Sequence, residues 1–185
     1  MNGIILTGSI ATGKSTVANL LRLYGYTIID ADEVAHNELK KHYKEIKEMF
    51  GTTDRKEIGK IVFNDEAKRK KLENFLHPKI RESIMNEAKE LEKFNIPYFI
   101  DIPLYFENGN YSNFNQIVVV YTPKEIQIKR LMDRNRIDQK EAENLINLQM
   151  DIEEKKQKAT YLIDNSQDLK HLQKEVEKFI NKIKK

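Results

Sequence analysis

The chain has no cysteine. Disulfide staples and thiolate metal or redox centres are therefore excluded, and a reducing compartment is the natural setting. Long apolar runs are missing as well. None approaches the roughly 18 residues that a membrane-spanning helix needs. The opening stretch MNGIILTG lacks a basic flank and has only a short apolar run, so it reads as a first strand and not as a signal peptide. These absences together point to a cytoplasmic protein with no membrane partner. Charge of one sign is also scarce, with a net of +3 over 185 residues. The lysines are scattered over helical stretches, as on solvated faces, and form no concentrated footprint for nucleic acid. Repeats, low-complexity tracts and Pro/Gly/Ser linkers are absent. A single domain fits the length, and such a chain buries roughly 70% of its unfolded surface without staples. No exposed apolar stripe stands out, which favours a monomer.

Five short apolar runs are present: Gly3–Thr7, Thr27–Asp30, Tyr98–Ile102, Gln116–Tyr121 and Tyr161–Asp164. Each is nearly continuous and does not alternate, which predicts strands covered on both faces, as in a parallel sheet. The stretches between them carry helix signals. Thr122-Pro123-Lys124-Glu125 offers an N-cap, a proline at the first helical position and a glutamate at the third. Asp138 and Glu141 repeat the cap spacing. Leu169, Leu172, Val176, Phe179, Ile180 and Ile183 fall on one helical face. The fold class is therefore α/β, three-layered and open-sheeted. A helical insert over about residues 32–95 separates the second and third strands and is long enough to be a subdomain.

Gly8-Ser9-Ile10-Ala11-Thr12-Gly13-Lys14-Ser15 matches the phosphate-binding loop G-x-x-x-x-G-K-[ST] without a gap. A strand precedes it, and an amphipathic helix with Val17, Leu20, Leu21 and Tyr24 follows and stops at Gly25. A polyphosphate needs several converging backbone N–H groups, and a helix N-terminus supplies them along a favourable dipole. Gly8 and Gly13 allow the tight turn and close approach. The backbone of Ala11 and Thr12 adds donors. Lys14 reaches the β- and γ-phosphates, Ser15 ligates Mg²⁺, and Thr16 bonds the α-phosphate. ATP and Mg²⁺ are the implied cofactors. The loop alone does not name a reaction, because motors, switches, helicases and kinases share it. A guanine-specific switch would carry N-K-x-D, and Asn181-Lys182-Ile183-Lys184 lacks the aspartate.

Other segments bear on an acceptor. Asp30 and Asp32 close the second strand and, two apart, share a strand face. Asp32 either orients and deprotonates an acceptor hydroxyl or caps a helix from Glu33, and the local pattern favours neither. Asp101 ends the third strand, as an outer ligand of hydrated Mg²⁺ or as a strand-end carboxylate. Arg130 and Arg134 lie one helical turn apart, with Arg136 close by. They read either as a clamp on transferring charge, in a water-excluding lid, or as a solvated basic face. His77-Pro78 reads as a helix opening, with Ile80, Ile84, Ala88 and Leu91 on the core face. His77 has no partner cluster for metal binding.

In combination these markers resemble one family, the dephospho-coenzyme A kinases. The resemblance is carried by ILTGSIATGKST at 5–16, IDADEVAH at 29–36, VF at 62–63, FLHPKI at 75–80 and FIDIPLYFE at 99–107. It continues through QIKRLMDR at 127–134, LQM at 148–150, EEK at 153–155 and YLIDN at 161–165. It implies a P-loop kinase fold with a five-stranded parallel sheet. The core would be 1–31, 96–122 and 160–185, with a helical acceptor-binding insert at 32–95 and a lid at 123–159. It implies phosphorylation of the ribose 3′-hydroxyl of dephospho-CoA by ATP and Mg²⁺, the last step of coenzyme A synthesis. A nucleoside or nucleoside-monophosphate kinase, or a nucleotide-dependent switch or nucleic-acid-dependent ATPase, stands as the alternative. On this resemblance Asp32 is the base, Lys14 and Arg134 act on the transferring group, Arg130 and Arg134 bind ATP, and His77, Arg81 and Asp101 line the acceptor side. Departures from the family pattern fall at Ser9, Leu145, Thr160 and Gln167, and the insert after Asn37 is short.

Overall fold

The computed structural model describes residues 1–108 and 111–184. Five strands form one sheet: β1 (Gly3–Gly8), β2 (Ile28–Asp30), β3 (Tyr98–Asp101), β4 (Gln116–Tyr121) and β5 (Tyr161–Asp164), in the order β2-β3-β1-β4-β5. The register pairs Ile5 with Ile100 and Ile117, and Val120 with Ile163, all in parallel. Continuous apolar runs form these strands because neither face meets water. Ile4, Leu6, Val118 and Val120 point into one core with Phe99 and Ile163. Ile5, Ile100 and Val119, one residue out of phase, are equally buried on the other face.

The first core is closed by α1 (Lys14–Leu23) and α10 (Leu169–Ile183), through Val17, Leu21, Leu172, Val176 and Phe179. Each such side chain contributes about 1.5–3 kcal/mol on burial. Two members of the expected apolar faces lie outside it. Leu169 is 57% exposed and Tyr24 46% exposed. Both sit at helix ends, where the turn rotates them off the buried stripe, and the Tyr24 hydroxyl bonds Glu177 at 2.8 Å. α1 ends on Gly25 (φ 87), whose N–H bonds the Arg22 carbonyl while that of Tyr26 bonds Leu21. That is a Schellman closure, for which a residue without Cβ is suited.

The chain divides into two compact units, Met1–Ile28 with Phe94–Lys185, and Ile29–Lys93. The first holds α1, most of the sheet and the helices α6 (Tyr105–Asn108), α7 (Lys124–Asn135), α8 (Gln139–Asn147), α9 (Ile152–Lys158) and α10. The second holds α2 (Ala31–Lys41), α3 (Tyr43–Phe50), α4 (Arg55–Asn64) and α5 (Glu66–Glu92). No helix among the described residues is long and apolar enough to cross a membrane.

Two helix starts differ from the sequence expectation. His77-Pro78 does not open a helix; it lies inside the 27-residue α5, which begins at its cap Asp65. Proline removes one i→i−4 donor, but the turns on either side hold the helix together, with Leu76, Ile84 and Ala88 buried. Thr122 is not the cap of α7. Pro123 takes the cap position with no side-chain bond, because the buried Thr122 hydroxyl is engaged elsewhere, as described below. Asp138 does cap α8, accepting from Glu141 N at 2.8 Å.

Candidate active site

The loop from Gly8 to Gly13 joins β1 to α1 and is shaped by two left-handed residues, Ala11 (φ 62) and Gly13 (φ 84). Alanine there costs about 1–2 kcal/mol of backbone preference. Gly13 stands at the N-cap of α1, so Lys14, Ser15 and Thr16 form its first turn; Thr16 N bonds the Gly13 carbonyl at 3.0 Å, and the N–H groups of Lys14 and Ser15 are left unmatched within the helix. No acidic side chain lies in that turn, which leaves its positive end open to an anion. A Cβ on Gly8 would meet Thr12 Oγ1 at 2.8 Å, and one on Gly13 would meet Asn165 Nδ2 at 2.2 Å. Glycine is thus required at both positions by packing, and at Gly13 also by conformation.

Polar bonds fix the loop from outside. The Thr12 hydroxyl donates to the Ser9 carbonyl at 2.8 Å. Asn165 Nδ2 donates to the Thr12 carbonyl at 2.8 Å. The Thr122 hydroxyl lies 3.2 Å from that same carbonyl and 3.1 Å from the carbonyl of Asn165. Arg130 joins them, with Nη1 3.3 Å from Thr122 Oγ1 and Nη2 2.9 Å from the Asn165 carbonyl. Ile10 N donates to Gln149 Oε1 at 2.9 Å. The Ser9 hydroxyl, a departure from the family pattern, is buried without a hydrogen-bond partner. Leu145, another departure, packs with Ile10, Ala11 and Met132 against the apolar seam of α7 and α8 formed by Leu131, Ala142 and Ile146.

Lys14 Nζ donates to Asp101 Oδ1 at the end of β3, and Asp101 is 6% exposed. The loop lysine and the strand-end carboxylate therefore meet. Two cavities open over the loop. One of about 350 Å³ is bounded by Gly13, Thr16, Arg130, Arg134, Asn165 and Gln167. The other, of about 280 Å³, is bounded by Ser9, Lys14, Ser15, Pro103, Arg134 and Gln149. Arg134 is exposed, borders both, and its Nε bonds Asn135 Oδ1 at 3.0 Å. Gly8, Ala11, Thr12, Gly13, Lys14, Ser15, Thr16, Asp101, Arg130 and Arg134 are thus gathered in one unit.

Asp32, His77 and Arg81 belong to the other unit. β2 ends at Asp30, so Asp30 and Asp32 do not share a strand face. Asp32 does not cap the helix either. Asp30 does, accepting from Asp32 N at 3.0 Å and Glu33 N at 3.2 Å. Asp32 is left exposed in the first turn of α2. His77 and Arg81 lie one turn apart on exposed positions of α5. A hollow of about 250 Å³ in this unit is bounded by Glu38, Lys41, His42, Lys79 and Ser83, and not by His77 or Arg81. Glu38 is 6% exposed and accepts from the Ser83 hydroxyl at 2.9 Å. Burial alone would raise its pKa, but Ser83, Lys41 and His42 outweigh that and hold it below the ordinary value.

Sequence reasoning missed Gln149, Thr122, Asn165 and Lys155 as parts of the loop's support. Lys155 is fully buried, with Nζ 2.9 Å from the Gly8 carbonyl and 2.8 Å from Glu107 Oε1. The EEK marker included it, but nothing in a lysine-rich helix distinguishes a buried lysine from its solvated neighbours.

An anion-gripping loop opening a helix, a strand-end carboxylate against its lysine, and arginines over the adjoining cavity define a P-loop phosphotransferase of the kinase class. The family model for dephospho-CoA kinase matches residues 3–171, and the chain belongs to that family. It is 49% identical to a dephospho-CoA kinase of Sulfurimonas denitrificans, over 98% of this chain and 94% of that one. The solved dephospho-CoA kinase of Campylobacter jejuni superposes with a TM-score of 0.83 at 38% identity, covering 98% of this chain and 96% of the other. A shikimate kinase of Bacteroides thetaiotaomicron, 18% identical with a TM-score of 0.51 over 99% of this chain and 98% of its own, shares the fold.

Proposed function

We propose that the chain transfers the γ-phosphoryl group of ATP to the ribose 3′-hydroxyl of dephospho-CoA, giving coenzyme A and ADP. The reading is carried by the family match over residues 3–171, which spans the phosphate loop, Asp32 and Asp101. The first turn of α1 offers its N–H groups to the phosphates. Lys14, now paired with Asp101, exchanges that carboxylate for β- and γ-phosphate oxygens, a richer set of acceptors. The donor set suits Mg²⁺, which keeps most of its waters and takes one or two protein oxygens beside the phosphates. Ser15 would hold it directly and Asp101 through water, and once bound it neutralises charge on the β- and γ-oxygens. No cluster of three or more acidic or histidine ligands exists among the described residues.

Arg130 and Arg134 lie along α7 beside the cavity. Arg130 is anchored through Thr122 and Asn165 and positions the nucleotide. Arg134 is exposed, free to reach the equatorial oxygens as charge spreads over them. The segment 123–159 acts as a lid that keeps water from competing with the acceptor. Asp32 is the base. With Asp30 holding the turn, its own carboxylate is left to orient and deprotonate the acceptor hydroxyl. His77 and Arg81 belong to the acceptor side, where the Arg81 guanidinium suits a diphosphate-bearing substrate.

The test is ADP release driven by dephospho-CoA, in the parent and in Asp32→Asn. The variant should keep ATP binding and lose about 10²–10⁴-fold in kcat. Parental kcat in that variant removes Asp32 from the mechanism, and ADP release indifferent to dephospho-CoA removes the substrate.

A further inference from the structure

The geometry points to Lys155 as a positioning residue for the nucleotide: its buried ammonium fixes the first peptide of the phosphate loop so that its carbonyl faces inward and N–H groups face the phosphates. This rests on the reading that the loop binds ATP. Lys155 lies on α9 and is 0% exposed. An ammonium taken out of water is heavily penalised unless it is paired and hydrogen-bonded, and an apolar side chain of similar length would fill the space more cheaply. Its acceptors are therefore informative. One is Glu107 Oε1 at 2.8 Å, which makes the bond charge-assisted on both sides. The other is the Gly8 carbonyl at 2.9 Å.

Gly8 ends β1 and begins the loop. Because Nζ is inaccessible to water, a carbonyl aimed at it is aimed into the protein. The same segment holds the loop a second time. Glu107 Oε1 also accepts from Met150 N at 3.0 Å, and the adjacent Gln149 accepts from Ile10 N at 2.9 Å. Thus Gly8 is held by its carbonyl and Ile10 by its N–H, both from residues 149–155. Without the ammonium, the Gly8–Ser9 peptide loses what opposes its rotation, and a carbonyl dipole turned outward repels polyphosphate. The acceptor alcohol makes no use of that peptide.

The experiment measures ADP binding calorimetrically, and ATP and dephospho-CoA kinetics, for the parent, Lys155→Met, Lys155→Arg and Glu107→Gln. Absent ADP binding by the parent would defeat the nucleotide reading itself; the variants test only the role of Lys155. Lys155→Met should weaken ADP binding and raise the KM for ATP by about tenfold or more, in line with loss of a bond to a charged group. The KM for dephospho-CoA should stay within about twofold. Lys155→Arg, keeping charge and donors, should recover part of the affinity. Glu107→Gln should show the same selective loss in smaller degree. Unchanged ADP affinity in a folded Lys155→Met overturns the proposal. So does a proportional decline in both substrates' parameters with melting temperature, the mark of a purely structural lysine. If Lys155→Met does not fold, Glu107→Gln decides by the same criteria.

Discussion

Replacing Gly13 by alanine tests two separable effects at the heart of the loop. The first is conformational. Gly13 has φ 84, a region that disfavours an L-residue by about 1–2 kcal/mol. The second is steric. The new Cβ would come within 2.2 Å of Asn165 Nδ2, so the Asn165 amide must leave. Its bond to the Thr12 carbonyl, 2.8 Å long and buried, goes with it. That loss costs about 1–3 kcal/mol. Together the expected destabilisation is about 2–5 kcal/mol, or roughly 5–15 °C in Tm for a chain of this size. Gly25→Ala is the control, because Gly25 has φ 87 and nothing within 4 Å of a Cβ; it should lose only about 1–2 kcal/mol. Repeating Gly13→Ala in an Asn165→Ala background removes the clash, so its penalty should fall to the control's value. Thermal melts of the four variants, with ADP titrations alongside, make the comparison. Equal penalties at Gly13 and Gly25, or a Gly13 penalty untouched by Asn165→Ala, would refute the reasoning.

Two further expectations concern pH. The folded pKa of Glu38 is depressed, so its contribution to stability is present above the unfolded value of about 4.3 and lost as pH falls through the folded one. Melts of the parent and Glu38→Gln should therefore converge in acid and diverge near neutrality. Tyr121 bonds Glu153 at 2.5 Å, and that carboxylate pushes its phenol up to about 12. A raised pKa contributes stability below the unfolded value, near 10, that is lost as pH rises through the folded one. Tyr24, Tyr26 and Tyr105 are raised as well, so the ultraviolet titration is read as a difference: Glu153→Gln should move one phenolate back toward the ordinary range, and the same late titration in parent and variant would exclude Glu153 as the cause.

Much of the fold was legible because the signals are local. Five unbroken apolar runs gave five strands, two of them with the same limits, Gln116–Tyr121 and Tyr161–Asp164. The phosphate loop was legible because its spacing is itself the geometry. What was hidden depends on partners far along the chain. Thr122 fits a helix cap by its neighbours, yet its hydroxyl lies against carbonyls of Thr12 and Asn165. Lys155 resembles Lys156 and Lys158 in sequence, but its acceptors come from β1 and α6. The second run ends at Asp30 as β2 does, but the cap of α2 was not legible because either aspartate satisfies the capping preference; only the bonds from Asp32 N and Glu33 N to Asp30 tell them apart. Pro78 misled because a proline that starts helices elsewhere is tolerated within the long, well-packed α5.

The buried oxygen of Thr122 touches the phosphate loop, the end of β5 and the first anchored arginine at once. A mutation there would disturb the loop, the turn after β5 and the arginine together, with no intermediate that keeps one while adjusting the others. Substitution is better tolerated at the cavity's outer wall, where Gln167 and Leu169 border it without sharing in that junction. In a mutational scan read by nucleotide binding, changes at Gln167 and Leu169 should be tolerated where changes at Thr122 are not.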